Sequence, residues 1–106
     1  MFIDATLNVG LNRNTGGKLD LIVALIKIEE YFTILDIKTG QSNSEKTLIC
    51  RASGPWNSLE SDLYNLSIDL NQDCIAMSLD GGRTGKLIGP KASKWGDFNP
   101  EYFISF

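Results

Sequence analysis

From residue 3 to residue 9 the chain alternates: Ile3, Ala5, Leu7 and Val9 are apolar, and Asp4, Thr6 and Asn8 between them are polar. A period of two turns successive side chains to opposite faces, so the pattern predicts a strand with one buried face. Glycine and asparagine then break the alternation in GLNRNTGG, which reads as a loop. The next stretch, KLDLIVALIKIEEY (residues 18–31), is apolar along most of its length. It is long for a strand and predicts a helix. On that helix Asp20, Ala24, Lys27 and Tyr31 form the less apolar stripe, expected toward solvent, with the remainder buried.

Residues 33–39 (TILDIKT) predict a strand with Leu35 and Ile37 inward and Asp36 and Lys38 outward. After the polar loop GQSNSEK, residues 47–53 (TLICRAS) predict another strand, ended by Gly54-Pro55. The clearest element follows. Leu59, Leu63, Leu66 and Leu70 share one face of a helix in NSLESDLYNLSIDLN, with Asn57 as the expected N-cap and Glu60 reaching back to it. Residues 74–79 (CIAMSL) carry no charge and predict a central strand; DGGRTG is a turn and KLI a short returning strand.

The order strand, helix, strand, strand, helix, strand is that of a ferredoxin-like βαββαβ sandwich. This fold class is α+β: an antiparallel sheet with two helices on one face and the other face open. Here the expectation adds a C-terminal hairpin and an aromatic tail, in a single domain over residues 1–106. In the fold's strand order 4-1-3-2 the first strand separates the third from the fourth. Cys50 and Cys74 would then lie roughly 10 Å apart, too far for a disulfide.

Composition matters chiefly by exclusion. The chain contains no histidine, which removes Ser-His-Asp and Cys-His nucleophile chemistry and the usual zinc sites. Asp73 beside Cys74 would raise the thiol pKa rather than activate it. No catalytic residue, cofactor or metal set is signalled, which argues against an enzyme. The longest apolar run, Leu21 to Ile26, is far short of a membrane span, and the first residues lack a basic signal-peptide region, so the expected location is the cytoplasm.

The net charge is −3, which argues against general nucleic-acid binding. The charge is uneven, however: residues 81–96 hold Arg83, Lys86, Lys91 and Lys94 and no acid. DGGRTGKLIG does not meet the phosphate-loop pattern. Asp80 stands where its first glycine belongs, Leu87 follows Lys86, and no helix is signalled behind it. A looser anion contact through Arg51, Arg83 and Lys86 is the remaining option, in a pocket between the open sheet face and the basic hairpin.

Two surfaces are candidates for a partner. Trp95, Phe98, Tyr102, Phe103 and Phe106 crowd into the last dozen residues, as anchors on the domain itself or as a patch for a protein partner or a second copy. Glu60, Asp62 and Asp69 line the solvent side of the second helix. A small acidic protein with such a face is similar in size and acidity to phage-encoded inhibitors of host defence. The functional expectation is therefore a non-catalytic binding module acting through a protein–protein surface, of phage or mobile-element origin in its most specific version. The alternative is a small enzyme or ligand-binding regulator built around the anion pocket.

Overall fold

A computed structural model of the chain describes residues 1–11, 21–39 and 46–97. They form strand β1 (Phe2–Leu11), helix α1 (Leu21–Glu29), strands β2 (Thr33–Thr39) and β3 (Lys46–Pro55), helix α2 (Trp56–Asp69), strands β4 (Ile75–Ser78) and β5 (Lys86–Ile88), and a short 3-10 turn at Ala92–Trp95. The five strands make one antiparallel sheet in the order β2-β3-β1-β4-β5. β1 therefore lies between β3 and β4, and among the described residues β2 and β5 are the edges.

The alternation of β1 sets the core. Leu7 and Val9 are buried, and the register places them beside Cys50, Leu48 and Met77. Onto these pack Leu59, Leu63, Leu66 and Leu70 of α2, all four buried as the leucine period requires. α2 starts two residues earlier than expected. Pro55 is its N-cap and makes no side-chain capping bond, so Asn57 falls inside the first turn. Trp56 donates its N–H to the Met1 carbonyl at 2.7 Å, which satisfies one of the donors that every helix start leaves over. β3 also runs past Gly54 to Pro55, held by pairing with Ile3 and Phe2.

α1 buries the opposite face from the one its composition suggests. Ala24 and Ile28 are fully buried, and Lys27 and Tyr31 are half-buried, whereas Ile22, Val23 and Ile26 are exposed. The methyl of Ala24 lets the helix approach its neighbours closely. Tyr31 keeps its hydroxyl wet at the rim, donating to the Asp69 carboxylate of α2 at 3.0 Å while its ring packs on the core. Asp20 lies outside the described residues.

β2 departs from its expected pattern as well. Its register with β3 shifts between Ile34 and Asp36, a bulge that leaves Leu35 unpaired and 58% exposed. Ile37 does lie opposite Leu48, yet at the sheet edge it stays 41% exposed.

Among the described residues the sheet face away from the helices is only partly open. Asp4, Thr6, Arg51 and Ser53 are exposed there, but Gly10, Thr47, Ala76 and Ser78 on the same face are buried. Ser78 is enclosed by the β4–β5 turn, whose Gly82 N–H donates to its hydroxyl at 2.9 Å. Both cysteines are buried free thiols, on strands or strand ends that β1 separates.

Candidate functional site

Three regions carry the residues singled out in the sequence, and the sheet keeps them apart. Arg51 stands on the open part of the outer face, paired with the Asp4 carboxylate two residues along the neighbouring strand. Lys86 lies opposite Met77 and so points to the helix side. Its ammonium is 3.5 Å from Glu60 of α2 and 5.6 Å from the centre of the Trp56 ring. A cation over an indole and beside a carboxylate is held by both. Arg51 and Lys86 thus sit on opposite faces and do not converge on one anion. Arg83 is exposed at the tip of the turn.

A shallow pocket of about 230 Å³ does lie against the hairpin, but on the helix side, lined by Trp56, Met77, Leu79, Thr84, Gly85 and Lys86. Its floor is apolar and its one charged wall residue is Lys86, already engaged by Glu60. The turn beside it is rigidly tied. The Asp80 carboxylate accepts from the Thr84 hydroxyl, from the Thr84 N–H at 2.9 Å and from the Ser78 hydroxyl at 2.7 Å. Those donors, the Thr84 hydroxyl foremost, hold the Asp80 carboxyl well below the usual carboxylate range. Asp80 is therefore a fixed anion inside its own turn.

The acidic residues of α2 are dispersed. Glu60 meets Lys86, and Asp69 accepts from Tyr31, an interaction that raises the tyrosine pKa. Asp62 is half-buried, and burial raises its pKa. Among the described residues no group of three or more cysteines, aspartates and glutamates is arranged to hold a metal ion, and no helix is long and apolar enough to cross a membrane.

Of the five tail aromatics, Trp95 is described; Phe98, Tyr102, Phe103 and Phe106 lie outside the described residues. Trp95 is half-buried, and its indole N–H donates to Asp73 at 3.1 Å. The Lys94 ammonium reaches the same carboxylate oxygen at 3.4 Å. Burial raises both thiols, Cys50 and Cys74, to about 11, with the Asp73 charge adding to the effect at Cys74. Neither is an activated nucleophile.

The surface that sequence reasoning missed is on α1 and β2. Nine large apolar side chains are exposed among the described residues, and five of them, Ile22, Val23, Ile26, Leu35 and Ile37, belong to these two elements. α1 lies against β2 and α2, while α2 lies against β3, β4 and β5, so the exposed Ile22, Val23 and Ile26 of α1 sit at the β2 side of the domain, and Ile37 of β2 is on the helix side of the sheet. Ile22 and Ile26 are one helical turn apart and are 71% and 57% exposed. The period of α1 could not reveal this, because a helix apolar on nearly every side has no preferred buried face. Comparison of the chain with protein-family models, curated proteins and solved structures yields no match.

Proposed function

We propose that this is a non-catalytic binding module that acts through a protein–protein surface formed by α1 and the β2 edge. The observation that carries the reading is the exposure of Ile22 and Ile26 on α1 and of Ile37 on the helix side of the neighbouring β2. A gathered apolar surface of this kind costs solubility unless something covers it, and such patches mark interaction sites. The catalytic alternatives have less support, since both thiols are raised and Asp80 is locked in its turn. Two buried, unbridged cysteines support a reducing compartment such as the cytoplasm. An inhibitor of another protein machine, encoded by a phage or mobile element, is the most specific form of this reading, and small size and acidity are its support.

The fold we assign is the ferredoxin-like βαββαβ sandwich with β5 added beside β4. Its support is that β1 lies between β3 and β4 and that the helices follow β1 and β3.

Ile26→Asp tests the function. The side chain is exposed, so the variant should keep its far-ultraviolet circular dichroism and unfolding midpoint while losing association with any protein recovered by the immobilised wild-type chain. Recovery that is indifferent to Ile26→Asp would reject this surface. The alternative, an anion-binding regulator, rests on Lys86 at the rim of the pocket. It requires saturable quenching of Trp56 fluorescence by inorganic phosphate or pyrophosphate, lost in Lys86→Met.

A further inference from the structure

Among the described residues β2 is an edge strand with β3 on one side only. Its outer side is guarded. The N–H of Ile37 donates to the Asp36 carboxylate at 2.8 Å, and the Lys38 ammonium stands 3.6 Å from the other oxygen of that carboxylate. The bulge at Leu35 precedes this stretch, and from Asp36 to Thr39 the register with β3 is regular. Charges and bulges are common means of keeping an edge from pairing indiscriminately.

This guard is also self-complementary. Asp36 and Lys38 stand symmetrically about Ile37, and both belong to the face that carries Ile49 and Thr47, away from the helices. In an antiparallel pair, residues directly opposite each other point to the same face. A second copy related by a two-fold axis through Ile37 would set Asp36 against Lys38 and Lys38 against Asp36. A shift of one residue either way in the two-fold centre sets Asp36 on Asp36 or Lys38 on Lys38, and like charges directly opposite are destabilising. In the favoured register the two Ile37 residues, each 41% exposed, meet on the helix side of the sheet. The Ile37 N–H would pass from Asp36 to the Ile37 carbonyl of the second copy, which releases the Asp36 carboxylate to meet Lys38 across the axis. No donor is lost in the exchange.

We propose that two copies of the chain associate edge to edge through β2, in the antiparallel register that places Asp36 opposite Lys38. The inference rests on the reading of the α1–β2 surface as a protein-binding surface, and names a second copy as its occupant.

Sedimentation velocity over a concentration series tests it with charge-swapped chains. The wild type should reach twice the chain mass. Asp36→Lys and Lys38→Asp should each weaken association by about tenfold or more, since two attractive pairs become repulsive. Mixing these two variants should restore a two-chain species containing one of each, and the double variant D36K/K38D should pair with itself. Circular dichroism and unfolding midpoints show that each variant is folded, and the double variant keeps the test open where a single one is not. A wild type that stays monomeric throughout overturns the proposal. So do swaps that leave the mass unchanged, or a mixture and double variant that both fail to associate. A monomeric chain whose capture of a different protein is abolished by Ile26→Asp would overturn the second copy as occupant and leave the protein-binding reading standing. Capture indifferent to Ile26→Asp would reject that reading by itself.

Discussion

The indole N–H of Trp95 donates to the Asp73 carboxylate at 3.1 Å, a bond that spans 22 residues. It fastens the segment after β5 to the turn that leads into β4, next to the backbone bond from Lys91 N–H to the Asp73 carbonyl. Trp95→Phe removes the donor together with part of the ring, so it should lower the unfolding midpoint. In an Asp73→Ala background the same change should cost less, because only the lost ring area remains. Equal losses in both backgrounds, measured as a double-mutant cycle, would show that the bond contributes nothing.

Acid should unfold the protein partly through Asp80 and Asp73. Hydrogen bonds, from Thr84 first at Asp80 and from Trp95 first at Asp73, hold both carboxyls below their ordinary value in the folded chain. The unfolded chain, with an aspartate pKa of about 3.9, therefore takes up the proton first as the pH falls. The stabilisation is complete above that value and is lost on descending through the lower folded values. Denaturant titrations of wild type and Asp80→Asn between neutral and acid pH should converge at the acid end. A gap that stays constant with pH would remove Asp80 from the acid response.

The leucine stripe of α2 should dominate stability. Leu63 and Leu66 are fully buried, and truncating either to alanine should cost about 2–5 kcal/mol, a large share of a small domain's stability. Asp62 behaves oppositely. Burial raises its pKa, so its charge is unfavourable to folding at neutral pH, and Asp62→Asn should hold or raise the midpoint. Chemical denaturation of the three variants checks both statements; an Asp62→Asn loss as large as that of Leu63→Ala would reverse the orientation of the helix.

Gly89 should accept no side chain. A Cβ there would lie 2.5 Å from the Asp73 carbonyl oxygen and from the Cys74 Cα, both backbone atoms that cannot swing aside. Gly89→Ala should cost about 1–3 kcal/mol or more by forcing the two segments apart. A variant with wild-type stability would mean that the segment after β5 does not pack as described.

The thiols should count as two free groups in denaturant without reductant and react slowly with alkylating reagents in the native state near neutral pH. Both are buried and raised to about 11. Mass spectrometry that finds an intramolecular bridge would contradict the separation of β3 and β4 by β1.

What the chain determined by itself is the set of features with a local period. Leu7 and Val9 alternate, and Leu59, Leu63, Leu66 and Leu70 recur at helical spacing; all six are buried. Each pattern has one polar and one apolar side, so burial has one solution. α1 has no such contrast. Which side it buries was decided by packing, which selected the small Ala24 and exposed Ile22 and Ile26. The bulge in β2 depended on its register with β3, a partner seven or more residues away in sequence, and it moved Leu35 out of the pattern that TILDIKT suggests. The basic residues looked like one group in the sequence, but strand pairing sent Arg51 to Asp4 on one face and Lys86 to Glu60 and Trp56 on the other. Trp95 stood out in the sequence as an anchor or as part of a partner patch; its mate Asp73 did not stand out, because a hydrogen bond across 22 residues leaves no periodic trace. Period is a property of neighbours along the chain, whereas the binding surface depends on which apolar side chains the sheet and the second helix leave uncovered.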